Sequence, residues 1–342
     1  MDRTAGARLV TAVVIALLWS ALTAGVSAAA ETPAYDSWDS SQDRIVGTYY
    51  FMWYKYGEPN RPGFFNHITN PDGSDALTFH PPHLEMMDYT NVEWHKLELL
   101  DMIDAGIDVV IVDWWAGPSL VDWSIEALRT FAQAQQELIA AGYAPPKVAM
   151  LYETAGLIIH RDLRDLTQGR GLDTFYQGIR VFFHLVPPAL WARWDGRPMI
   201  WTYVPESRAF YDRDVFNRIK ARFDAEFGVT PYVIKEASWN AEADASYHWG
   251  AALTGVKFGD VVSVSPGWDA RGVPGNTIPP VSRRGGARYE TAWLMALARR
   301  PRIVVVETWN ELHEGTNVMH TVEHGRLYIE LTAKHARQLK GL

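Results

Sequence analysis

From residue 45 onward, short apolar runs alternate with longer stretches in which apolar residues recur at three- and four-residue spacing. The short runs lie at 45–51, 109–112, 148–152, 199–203, 232–234, 261–264 and 303–306. They are rich in Val and Ile and nearly free of polar positions, as expected of strands buried on both faces in a parallel sheet. Helical spacing occupies the intervals 93–105, 124–141, 173–185, 212–226, 290–298 and 322–338. Alternation of this kind predicts βαβ units. Seven strands are visible, and an eighth is expected between Ala243 and Val256.

Eight such units over this length predict an α/β fold, a single-domain (β/α)8 TIM-type barrel; a doubly wound open sheet is the alternative. The first strand runs into YYFMWYKYGEP, which is bulky and aromatic where a dinucleotide-binding sheet carries a glycine-rich phosphate loop. Nucleotide cofactors are therefore not expected.

The segment ahead of the barrel has a different pattern. Arg3 and Arg8 precede an apolar run over 9–26, and small residues fill 27–30. That order is the pattern of a secretory signal peptide over residues 1–30, with an uncleaved anchor as the alternative. It predicts an exported domain over 31–342 with no stable membrane association after cleavage. The absence of cysteine excludes disulfides, thiolate metal sites and cysteine nucleophiles. A formal charge of −8 with no long basic run makes nucleic acid a poor partner. The 15 Trp and 15 Tyr suit both core packing and stacking on sugar rings.

In a barrel the C-terminal strand ends converge on one face, where active sites of this fold are built. Those ends repeat one chemical theme. Strand one ends in Tyr49, Tyr50, Trp53 and Tyr54, strand two in Asp113, Trp114 and Trp115, and strand three in Tyr152 and Glu153. Strand four carries Trp201 and Tyr203, strand five reaches Lys235 and Glu236, and strand six runs into SPGWDARG with Trp268, Asp269 and Arg271. Strand seven, IVVV, delivers ETWNELHEGT, with Glu307, Asn310, Glu311, His313 and Glu314. Carboxylates among aromatic platforms point to glycoside hydrolysis, which needs a proton donor to the leaving oxygen and a second carboxylate acting near the anomeric carbon. Glu311 and Glu314 are the candidate pair. Spacing alone also allows that ELHE opens the next helix, where acids are favoured.

With YYFMWY, GIDVVIVDWW, VAMLYE, RPMIWTYV, SPGWDARG and above all WNELHEGT in this order, the chain resembles glycoside hydrolase family 99, the endo-α-mannosidase-like enzymes, and related bacterial proteins. The resemblance spans about residues 44–330. It implies a retaining, endo-acting enzyme on α-mannosides that proceeds through a 1,2-anhydro sugar. In that scheme Glu311 deprotonates the 2-hydroxyl, while Glu314 serves as acid and then base. Tyr50, Trp53, Asp113, Trp114, Trp115, Glu153, Tyr203, Trp268, Asp269, Arg271, Asn310 and His313 are the expected substrate contacts. Leu312 departs from the family, where tryptophan is common, and bears on substrate choice.

Other constellations carry less. His80 and His83 in FHPPH, with His95 and His313, lack the helix that aligns metalloprotease histidines, so no metal is expected. No nucleophile-elbow sequence supports Ser-His-Asp chemistry. Asp113 and Glu153 are either sugar contacts or satisfied carboxylates at strand ends. The expected partner is an oligo- or polysaccharide, the expected state a monomer. A glycoside hydrolase on another microbial or plant polysaccharide and a non-catalytic carbohydrate-binding barrel are the alternatives.

Overall fold

The computed structural model describes residues 44–57, 68–70, 72–116, 121–158, 161–205 and 208–342. The expected signal peptide lies outside the described residues. Among these residues eight strands run parallel: β1 (Ile45–Tyr50), β2 (Val109–Trp115), β3 (Lys147–Glu153), β4 (Arg197–Thr202), β5 (Tyr232–Glu236), β6 (Ala245–Tyr247), β7 (Val261–Val264) and β8 (Ile303–Val306). Their order around the sheet is β6-β5-β4-β3-β2-β1-β8-β7, which is chain order wrapped into a ring. β1 pairs with both β2 and β8 (Thr48 opposite Val110 and Val306), and the two end strands of the path, β6 and β7, lie against each other, so the sheet wraps into a nearly closed barrel rather than an open sheet. A two-residue antiparallel strand, Arg193–Trp194, folds back onto β4.

The eighth strand expected from sequence is β6, three residues long, inside the interval foreseen for it. Among the described residues no main-chain ladder joins β6 to β7. That seam is bridged by side chains instead: Asp260 accepts from the amide and the hydroxyl of Ser246 at 2.9 and 3.0 Å, and the Ser263 hydroxyl donates to His248 O at 3.2 Å.

Among the described residues six long helices cover the outside: α1 (Val92–Ala105), α2 (Val121–Ala140), α3 (Gly169–Leu185), α4 (Val215–Phe227), α5 (Ala287–Ala298) and α6 (Leu327–Lys340). Their start and stop signals are local. Asn91 caps α1 by accepting from Glu93 N at 3.0 Å, and Gly106 ends it in the left-handed conformation. Neighbours pack in sequence from α1 to α4, and α6 packs on both α5 and α1. The ring is interrupted between α4 and α5, beside the seam. There the β5–β6 connection has no helix and the β6–β7 connection only Ala251–Thr254.

Strand side chains alternate between the barrel interior and the helix layer. Tyr49, Trp201 and Tyr247 meet inside, at centroid distances of 5.3 to 6.1 Å, and fill the barrel below its C-terminal mouth. Their neighbours face out: Tyr50 packs on His95 and Phe131, and Trp114 on Phe182.

Candidate active site

β8 ends at Val306, and the next ten residues fold across the barrel mouth as a tightly bonded turn. The Thr308 hydroxyl accepts from Glu311 N at 3.0 Å. Glu311 Oε1 then accepts from His313 N at 3.0 Å and Glu314 N at 3.3 Å, with His313 Nδ1 at 3.2 Å. One carboxylate oxygen thus organises the turn, and Oε2 is left without a protein partner among the described residues. From outside, Tyr54 Oη accepts from Leu312 N at 2.9 Å. Leu312 O accepts from Thr78 N at 2.8 Å. Gly315 has φ +54°, and a Cβ there would stand 2.8 Å from Asp269 O, so conformation and space both demand glycine.

Over this turn lies a cavity of about 350 Å³. Phe51, Trp53, Trp115, Tyr203 and Trp249 supply its aromatic walls, and Asp113, Glu153, Glu311 and Glu314 its carboxylates, with Leu151, Val273 and His313 completing the lining. Its electrostatics follow from crowding. Burial, then the charges of Glu153 and Glu311, push Asp113 well above the usual carboxylate range against a bond from Trp115. Asp113 Oδ2 accepts from Trp115 Nε1 at 2.7 Å, and Oδ1 has no partner. Glu153 Oε1 accepts from Ala155 N at 2.8 Å. Glu314 keeps surface open at the mouth, yet the protein around it and then the charge of Glu311 raise its pKa; a bond from the Trp268 side chain partly opposes them. Tyr203 is raised by burial and by Glu153, Glu314, Asp113 and Glu307. A carboxyl group whose pKa is raised, beside a second carboxylate and open to a sugar-sized space, is suited to donate a proton while its neighbour accepts one.

Eight of the fourteen residues expected in the site line this cavity: Trp53, Asp113, Trp115, Glu153, Tyr203, Glu311, His313 and Glu314. Six do not. Tyr50 points out, its hydroxyl 2.9 Å from His95 Nδ1. Trp114 also points out, donating to Gly178 O at 3.0 Å. Strand alternation explains both, since each follows an inward-facing residue. Asn310 clamps the backbone of Phe51, accepting from its N and donating to its O, both at 2.8 Å. Trp268, Asp269 and Arg271 line a separate cavity next to the turn. Leu312 is fully buried and does not line the acid cavity, so its effect on a substrate is indirect.

Phe51, Leu151, Val273 and Trp249 were not foreseen in the lining. Trp249 follows the three-residue β6, which has no aliphatic run to mark the strand end. Glu307, named at the strand end but not among the expected contacts, does not line the cavity. It is buried at the start of the turn, accepts from Gly250 N and Ala251 N at 2.9 and 3.1 Å, and is raised by burial to about 7. The histidines go separate ways: His80 bridges Asp75 and Glu323, His83 sits 3.8 Å from Glu85, and His95 is buried against Tyr50.

A family model described as a domain of unknown function (DUF5010) matches residues 65–340. Comparison with curated protein sequences finds no match. Among solved structures, the glycoside hydrolase family 99 endo-alpha-mannosidase of Bacteroides thetaiotaomicron, in complex with bis-tris-propane, is similar with a TM-score of 0.60 at 17% identity, over 87% of this chain and 98% of that one. A second structure of that enzyme gives 0.59 over the same shares. A glycoside hydrolase-like protein gives 0.63 at 16% identity, over 86% and 94%. At these identities the likeness concerns the fold.

Proposed function

The chain belongs to the DUF5010 family, and from the chemistry of its barrel mouth we propose that it is a glycoside hydrolase: exported, retaining and endo-acting on α-mannosidic linkages of a glycan. One observation carries this reading. Glu311 and Glu314 are joined by a main-chain bond from the second to the carboxylate of the first, and both line one aromatic-walled cavity.

Two steps account for retention. Glu311 takes the proton of the 2-hydroxyl as that oxygen attacks the anomeric carbon. Glu314 gives its proton to the departing glycosidic oxygen, leaving a 1,2-anhydro sugar. Water then opens the three-membered ring at the anomeric carbon, Glu314 removes a proton from that water, and Glu311 returns a proton to O2. The two displacements invert twice, so configuration is kept. Trp53 and Trp115 offer faces for stacking, and Asp113 Oδ1 offers an acceptor or, protonated, a donor to a hydroxyl.

The test is incubation of the protein lacking residues 1–30 with α-mannans and a panel of microbial and plant polysaccharides. Products are followed by mass spectrometry and by NMR of the first-formed anomer. Released oligosaccharides with retained configuration are expected from an α-mannan. Inversion refutes the mechanism, hydrolysis of another polymer alone refutes the substrate, and tight binding without release favours a non-catalytic binding barrel. Sequencing the N-terminus of the exported protein tests the leader, with a start near Glu31 expected.

A further inference from the structure

The loop of residues 268–281 is pinched at its neck, where Trp268 and Val281 exchange main-chain bonds of 3.1 and 2.7 Å. It walls two cavities. Val273 lines the acid cavity, while Trp268, Asp269 and Arg271 line a second one of about 390 Å³, together with residues 280–285. Glu314 joins the two: its carbonyl accepts from Asp269 N at 2.8 Å, and the Trp268 side chain lies close enough to its carboxylate to lower its pKa.

The cavities differ in sign. Among the described residues, the first is lined by four carboxylates and, as its basic group, His313. The second holds the guanidinium groups of Arg271, Arg283 and Arg284 and a single carboxylate, Asp269, which Arg271 already engages. Arg283 is 7% exposed and lies between Phe79 and Tyr328, 4.6 Å from each ring. Its Nη2 donates to Gly315 O, Asn317 O and Asn317 Oδ1, while Nε and Nη1 have no acceptor. No carboxylate pairs with Arg283 or Arg284 among the described residues. A buried cation without a counter-ion is costly, and an anion in the adjoining space offsets that cost. Guanidinium groups also match planar carboxylate and tetrahedral oxyanions in shape.

We infer that this second cavity is a subsite for an acidic substituent of the glycan, a uronate carboxylate or a sulfate or phosphate ester, on a sugar next to the one at Glu314. Trp268, 5% exposed, forms part of the wall, and Arg271 and Arg284 supply the exposed guanidinium groups that meet the anion. The inference rests on the glycosidase reading for the identity of the chain that carries the anion; anion binding itself does not require turnover.

Calorimetric titration of the intact protein with glucuronate, glucose 6-sulfate, glucose 6-phosphate and glucose tests it. At least one anionic sugar is expected to bind about tenfold tighter than glucose, the scale of one charge-assisted hydrogen bond. Added salt, Arg284→Gln and Arg271→Gln should each weaken that binding, and Glu311→Gln should leave it unchanged. The preferred anion identifies the substituent. Equal affinity for all four sugars, or anion binding indifferent to both arginine substitutions, overturns the subsite. Failure of the protein to hydrolyse any glycan would remove the glycosidase reading and leave this binding result standing.

Discussion

The main-chain N–H of Glu314 donates to Oε1 of Glu311 across 3.3 Å, so the position of one acid is set by the other. A substitution at Glu311 therefore acts twice, removing a functional group and loosening the turn that presents its partner. Glutamine at 311 keeps an oxygen that can accept these N–H bonds and isolates the loss of basicity. Glu311→Gln and Glu314→Gln are each expected to lower kcat by about 10² to 10⁴ while leaving the melting temperature nearly unchanged. An aryl mannoside with a good leaving group should restore the first step of Glu314→Gln and not that of Glu311→Gln. Steady-state kinetics on both substrate types checks this, and equal rescue of the two variants would remove the division of roles.

Trp114 and Trp115 are adjacent in sequence and separate in consequence. Trp115 lines the cavity, and Trp115→Ala should weaken transition-state binding by about 1 to 3 kcal/mol, seen in kcat/KM. Trp114 lies between β2 and α3, and Trp114→Ala should cost about 3 to 5 kcal/mol of stability by leaving a void against Phe182. Denaturant titration and kinetics on the two variants give the comparison. A Trp114→Ala protein of normal stability and poor kcat/KM would reverse the assignment.

Gly315→Ala should destabilise the protein by about 1 to 3 kcal/mol, because φ +54° is unfavourable for alanine and the added methyl meets Asp269 O. Loss of activity should exceed loss of fold, since the displaced residue adjoins Glu314. A variant with wild-type kcat would show that the turn tolerates a shift.

Stability should fall as pH rises from about 5 to 8. Burial, and then the charge of Asp101, raises Glu98 from 4.5 to about 8, and burial raises Glu307 to about 7. Between the unfolded value near 4.5 and its own folded value, each is protonated when folded and ionised when unfolded, so the folded state holds more protons there. Their contribution is full below the unfolded pKa near 4.5 and is lost as pH passes the folded values. Glu98 Oε2 accepts from Trp309 Nε1 at 2.6 Å, and Glu98→Gln preserves that acceptor. The variant should flatten the slope and gain on the order of a few kcal/mol at pH 8 relative to the parent. Melting temperatures across the range measure it, and an unchanged slope would show that Glu98 ionises freely.

The barrel could be seen in the sequence because its strands are runs such as VVIV and IVVV, whose length and β-branching have no competing interpretation. β6 was foreseen only as an interval, since ASY carries no such run and its place is set by pairing with β5. The acids at the mouth were legible because they cluster directly after β8. Orientation within each strand end was less so. Tyr50 and Trp114 have the residue type of a sugar platform, and only the phase of alternation, fixed by Tyr49 and Asp113 facing inward, sends them to the helices. Asn310 sits within the most specific motif yet acts on the backbone of Phe51, a distinction that composition does not contain. Glu307 and Trp249 depend on how the short sixth crossover folds back over the mouth, which is a matter of tertiary contact.

That crossover leaves the barrel a split ring rather than a closed hoop. A hoop of main-chain ladders can change girth only by breaking bonds along a whole strand, whereas here β6 and β7 can part by stretching the links of Ser246 to Asp260 and Ser263 to His248. Trp249 stands beside that gap on the cavity wall, and the carboxylate of Glu307 straps the adjoining Gly250 and Ala251 to the base of the acid-bearing turn. On that side the wall of the mouth is thus fastened to the acid-bearing turn by a buried carboxylate buckle rather than by strand pairing.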